Sequence, residues 1–100
     1  MTYTQTKRVT LSSSSFTKVE FEHPSDYYMV KNFSSDDIYV SFLSDATTEN
    51  SNKIASKMGQ IVSKGIVDLD YDGSVSRKPY NEFTDTIYVK GSGEVEISQI

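Results

Sequence analysis

Apolar side chains recur at every second position over several short stretches of the chain, the period of a half-buried β-strand. Residues 16–22 show it most cleanly: Thr17, Val19 and Phe21 point one way, and Lys18, Glu20 and Glu22 the other. Residues 84–90 and 94–98 repeat it, with Ile87 and Val89, then Val95 and Ile97, on the core side. Tyr88, Lys90, Glu94, Glu96 and Ser98 fall on the opposite side. Gly91-Ser92-Gly93 between these two segments predicts a tight hairpin turn, because glycine allows positive φ without penalty. Val9 and Leu11 share one side of an extended segment, and Ser12 to Ser15 read as a loop. His23-Pro24-Ser25-Asp26 reads as a turn, since Pro removes a ladder donor and Asp suits turns. Strands follow over residues 27–33 and 38–43, with a polar break at 34–37. In the second of them Ile38, Val40 and Phe42 oppose Tyr39, Ser41 and Leu43.

Residues 44–52 form a polar loop, the candidate for the most mobile stretch. Residues 53–67 admit two readings. Ile54, Met58 and Ile61 or Val62 have helical spacing, with Ser51 or Asn52 as N-cap. Gly59 in mid-segment costs a helix about 1 kcal/mol relative to Ala. The preferred reading is therefore two short strands, around Ile54 and over residues 60–63, joined by a turn at Lys57-Met58-Gly59. Residues 65–71 give another strand, Asp72-Gly73 a hairpin turn, and residues 74–82, with Pro79, a long connection.

Composition agrees with the pattern. Val and Ile number 16 against 5 Leu and Ala, and Tyr and Phe add 12. β-Branched and aromatic residues suit a pleated surface, whereas Ala and Leu suit helices. The chain of 100 residues is expected to be one all-β domain. The fold expected is an antiparallel β-sandwich, jelly-roll or immunoglobulin-like, of about eight or nine short strands. One short helix near residues 51–60 is the alternative there.

Charge and chemistry narrow the function. Ten Lys and Arg against 14 Asp and Glu give a net charge of −4, which argues against wrapping nucleic acid. No apolar run reaches the roughly 18 residues that span a bilayer, and the polar start predicts no signal peptide. The chain has no Cys and one His, His23, expected in a surface turn. Asp68-Leu69-Asp70-Tyr71-Asp72-Gly73 matches the opening of a calcium loop, but Pro79 stands where a bidentate Glu is needed. An acidic hairpin is the preferred reading of Asp68, Asp70 and Asp72. The pairs Asp36/Asp37, Glu20/Glu22 and Glu94/Glu96 read as solvated surface charge rather than as catalytic carboxylates. No nucleophile has an activating base to work with. No catalytic, metal or cofactor residue is assigned.

Tyrosine is the remaining candidate. Tyr39 and Tyr88 lie opposite the apolar faces of their strands, where a Tyr ring suits a subunit interface or a sugar-stacking platform. Tyr27 and Tyr28 join them as interface candidates. Residues 33–40 and 83–89 also echo each other, Phe33-Ser34-Ser35-Asp36-Asp37-Ile38-Tyr39-Val40 against Phe83-Thr84-Asp85-Thr86-Ile87-Tyr88-Val89.

Two segments carry a resemblance. Residues 30–41, Val-Lys-Asn-Phe-Ser-Ser-Asp-Asp-Ile-Tyr-Val-Ser, look like strand–turn–strand segments of small phage virion proteins. Residues 83–97, ending Lys90-Gly91-Ser92-Gly93-Glu94-Val95-Glu96-Ile97, are similar to the C-termini of small all-β structural proteins of phages and prophages. Those are head-fibre, decoration and tail-accessory modules. The resemblance implies a β-sandwich in a homo-oligomer or on a particle, with other virion proteins as partners. It carries no catalytic residue. The expected function is a non-enzymatic virion structural or accessory module, assembled in the bacterial cytoplasm. The alternative is a carbohydrate-binding module for host-surface adhesion, with a surface glycan as partner.

Overall fold

A computed structural model describes residues 5–64, 67–69, 75–77 and 83–100, with the backbone alone for 67–69 and 75–77. The described strands are β1 (Thr6–Thr10), β2 (Thr17–Ser25), β3 (Tyr27–Asn32), β4 (Ile38–Ser41), β5 (Asn52–Ile54), β6 (Gly59–Ser63), β7 (Val67–Leu69), β8 (Val75–Arg77), β9 (Thr84–Lys90) and β10 (Glu94–Gln99). A single 3-10 turn, Thr48–Asn50, precedes β5. The first four-stranded sheet has the order β1-β10-β3-β6, the second β2-β9-β4-β5, and β7 and β8 form a separate ribbon. All pairings are antiparallel.

The order has a simple logic. β1 pairs with β10, β2 with β9, β3 with β6, and β4 with β5. These pairs are nested, so the chain is one long hairpin whose tip is β4–β5. Successive pairs go alternately to the two sheets, rolling that hairpin into a sandwich. This is the jelly-roll order of eight strands, with the β7–β8 ribbon inserted in the returning arm. Of the two architectures that the sequence left open, the structure has the jelly roll.

Alternation fixes which side of each strand is buried. The first sheet turns Leu11, Val95, Ile97, Tyr28, Val30 and Val62 inward, and the second Val19, Phe21, Ile87, Val89, Ile38, Val40 and Ile54. These residues form one apolar cluster, with Val9 and Phe42 packed at its margin. Each such Val, Ile or Leu contributes roughly 1.5–3 kcal/mol when fully buried. Tyr28 reaches across the interior from the first sheet. Its ring lies 5.2 Å from that of Phe21 and 6.1 Å from that of Phe42.

Several expectations change. Residues 84–90 and 94–98 are both strands, but they do not form a hairpin: β9 and β10 belong to different sheets. Gly91-Ser92-Gly93 is an arch that carries the chain from one sheet to the other. Neither glycine has positive φ; what each supplies is space. A Cβ on Gly91 would lie 2.6 Å from Cγ2 of Ile38, and one on Gly93 2.5 Å from Cβ of Ser34. β2 runs through Pro24 to Ser25 instead of turning at His23. It is an edge strand with a register shift between Glu20 and Ser25, where a missing N–H costs no ladder bond.

The preferred reading of residues 53–63 holds, with strands β5 and β6 and no helix. The turn between them closes with Met58 N–H donating to the Ala55 carbonyl at 3.1 Å. Lys57 takes φ 62 there, a left-handed position that Gly or Asn fills at less cost. The cap in this region is Thr47, not Ser51 or Asn52, and it closes a capping box with Asn50. Residues 75–77, expected in a connection, are strand β8.

Candidate binding faces

The outer face of the second sheet carries the tyrosine pair. Tyr39 lies opposite Lys90 in β9 and opposite Lys53 in β5. Tyr88 lies opposite Ser41 in β4 and opposite Lys18 in β2. Tyr39 and Tyr88 are therefore diagonal neighbours on adjacent strands, a separation that long side chains bridge. Both are half-buried, with lysines on the flanking strands. The echo between residues 33–40 and 83–89 marks two neighbouring antiparallel strands, with Val40 opposite Val89.

Four connections meet at one end of the roll, at residues 11–16, 33–37, 55–58 and 91–93. Leu11 N–H donates to the Gly93 carbonyl (2.8 Å), Gly91 N–H to Ser12 (3.2 Å) and Phe33 N–H to Glu94 (3.0 Å). Ser56 Oγ donates to the Ser34 carbonyl at 2.8 Å, and Ser92 Oγ to the Asp36 carboxylate at 2.8 Å. Asn32 holds this end from inside. Its amide nitrogen faces the carbonyls of Asp36 (2.8 Å), Ile54 (3.2 Å) and Ala55 (3.1 Å). Its Oδ1 accepts from the N–H (2.9 Å) and hydroxyl (2.7 Å) of Ser34. Only 1% of Asn32 is exposed, so these bonds form out of reach of solvent.

Two depressions lie where this end meets the outer face of the second sheet. Asp36, Asp37 and Tyr39 line one, of about 290 Å³. Phe16 and the loop Ser44–Thr48 line the other, of about 520 Å³. Lys90 and Thr48 line both. Such volumes are near the range of small-molecule sites, roughly 300–1,000 Å³. Asp37 pairs with Lys53 at 3.2 Å. Among the described side chains, that of Lys90 alone of the lysines and arginines makes no ion pair, hydrogen bond or ring contact.

Tyr28 does not belong to an interface. It is fully buried, and its hydroxyl donates to the Thr84 carbonyl and accepts from Gln99 Nε2 at 3.2 Å. Tyr27 is half-buried on the outer face of the first sheet, opposite Ser63. His23 lies in β2, its carbonyl accepting from Gln99 Nε2 at 2.5 Å. Asp68 lies in β7 opposite Ser76, as an acidic hairpin requires; Asp70 and Asp72 fall outside the described residues. Among the described residues, no three His, Asp or Glu come together as a metal site. Glu20 and Glu22 are exposed, with Glu20 paired to Lys18 at 3.4 Å. Glu96 is half-buried between Arg8 (3.5 Å) and Lys31 (3.7 Å).

The outer face of the first sheet holds a feature that the sequence reading passed over. Met29 lies opposite Ile61 across β3 and β6, on the side away from the core pair Tyr28 and Val62. Met29, Phe33 and Met58 line one shallow depression with Lys31 and Lys57. Phe33, Met58 and Ile61 are 39%, 59% and 53% exposed. Arg8 stacks over Phe33, its guanidinium carbon 4.7 Å from the ring centre, and the Arg8–Glu96–Lys31 row borders the patch. A strand is expected over residues 27–33, with no face assigned to Met29. What the sequence could not supply was the register that sets Ile61 beside it. The chain matches no family model, no curated protein and no solved structure.

Proposed function

We propose that this chain is a non-enzymatic structural module of a phage-type particle, acting through protein–protein assembly and first of all with copies of itself. The apolar patch of Met29, Phe33, Met58 and Ile61 is the observation that carries this reading. Large side chains grouped on one sheet face, with charges at the margin, have the anatomy of an interface: an apolar centre and a polar rim. The rim carries both signs, in Arg8, Glu96, Lys31 and Lys57, so a second copy can dock without a clash of like charges. The particle assignment rests on the resemblance of residues 30–41 and 83–97 to virion modules. The jelly roll is compatible with it, since viral capsid domains use that fold, but lectin domains and cupins do too.

Light scattering tests the reading. The wild-type chain should scatter as an oligomer, and Met58→Lys/Ile61→Lys as a monomer with an unchanged β-sheet spectrum. A wild-type monomer at about 100 μM, roughly where a weak interface of −5 to −6 kcal/mol is half-formed, would contradict it.

A further inference from the structure

The two depressions beside Lys90 adjoin, since Lys90 and Thr48 line both, and together they make a groove. Its lining has three chemistries. Tyr39 and Phe16 offer aromatic surface, which takes up the C–H face of a flat, hydroxylated ring. Asp36 and Asp37 are acceptors with spare capacity: each makes one contact, to Ser92 and to Lys53 respectively, and a carboxylate has about four lone-pair sites. Lys90 is a half-buried residue whose side chain forms no ion pair within 4 Å among the described residues, although Asp36 and Asp37 line the same depression. An ammonium whose donors are not taken up by an ion pair can receive one acidic group of a ligand there. A polyphosphate would be repelled by the two carboxylates. A ligand with one acidic group, several hydroxyl donors and an apolar ring face satisfies all three chemistries.

We propose that this groove binds an acidic oligosaccharide, with the sugar's carboxylate or sulfate on Lys90, a ring against Tyr39, and hydroxyls donating to Asp36 and Asp37. The groove lies on the second sheet and the apolar patch on the first, so the site does not depend on the assembly reading. The two can fail separately.

Titration by NMR tests the site on the full chain. The probes are sialyllactose, its methyl ester and lactose 3′-sulfate, each acidic probe with a single acidic group. At least one acidic probe should shift the amide signals of residues 36–39 and 88–92. Lys90→Gln should weaken that binding about tenfold or more, the loss of one charge-assisted contact. Tyr39→Ala should weaken it and Tyr39→Phe retain it, whereas Lys18→Gln, on the same face beside Tyr88, should leave it unchanged. The proposal is overturned by the absence of shifts with every acidic probe at about 10 mM, well above the weakest useful Kd near 1 mM. It is equally overturned if the methyl ester binds as well as the acid, or if Lys90→Gln binds like the wild type.

Discussion

Single residues carry much of this fold, and two of them do so through buried polar atoms. Asn32 comes from β3 of the first sheet, yet it bonds the turn at Ser34–Asp36 and the end of β5. It therefore ties the sheets together and sets the loop that presents Asp36 and Asp37. Asn32→Ala leaves buried carbonyls without a donor, at about 1–3 kcal/mol for each group orphaned. We expect a loss of about 2–4 kcal/mol in urea unfolding. Tyr28 makes stability depend on pH. Burial raises the pKa of its hydroxyl, the nearby Asp85 charge adds to this, and the bond from Gln99 opposes it. The folded state thus holds the proton more tightly than the unfolded chain, whose Tyr titrates near pH 10. The contribution is fully present below that pH and is lost as pH rises through the folded pKa. Stability of the wild type should fall in this alkaline range, whereas Tyr28→Phe, which has no proton to lose, should be less stable at neutral pH but lack this alkaline fall. A parallel fall in both proteins would refute the assignment.

At the scale of elements, alternation along the chain reveals faces but not neighbours. The buried sides of β2, β4, β9 and β10 were all legible, because a strand half in the core must put its apolar side chains two apart. Pairing was not legible. β9 and β10 are separated by three residues with two glycines, the signature of a hairpin, but they enter different sheets. The glycines are there because Ile38, Leu11 and Ser34 crowd the arch, a contact made by residues far away in sequence. Gly91→Ala should therefore destabilise by overpacking, about 1–3 kcal/mol, although Ala suits its backbone. Ile38→Ala, which removes the Cγ2 that the new methyl group would meet, should cost less in the Gly91→Ala background than alone. Additive costs would mean that the crowding is not the cause. Pro24 misled for a related reason: its place on an edge strand, which spares it a hydrogen bond, depends on the whole sheet order.

The whole molecule is a rolled hairpin with two different outer faces. The tyrosine face was half legible, since Tyr39 and Tyr88 alternate with core residues. The groove beside it was not, because it gathers Phe16, Asp36, Thr48 and Lys90 from four separate parts of the chain. The apolar face escaped for the same reason. Met29 and Phe33 lie on one side of the hairpin tip and Met58 and Ile61 on the other, and only the nesting of β3 against β6 brings them together. In the proposed assembly, copies of the chain meet on this first-sheet face and not on the tyrosine face. Sedimentation equilibrium on three proteins distinguishes the two faces: the wild type, Met58→Lys/Ile61→Lys, and Tyr39→Ser/Tyr88→Ser. The wild type and the tyrosine variant should assemble alike while the patch variant stays monomeric. Assembly of the patch variant at wild-type strength, or a wild type that is monomeric throughout, would contradict this arrangement.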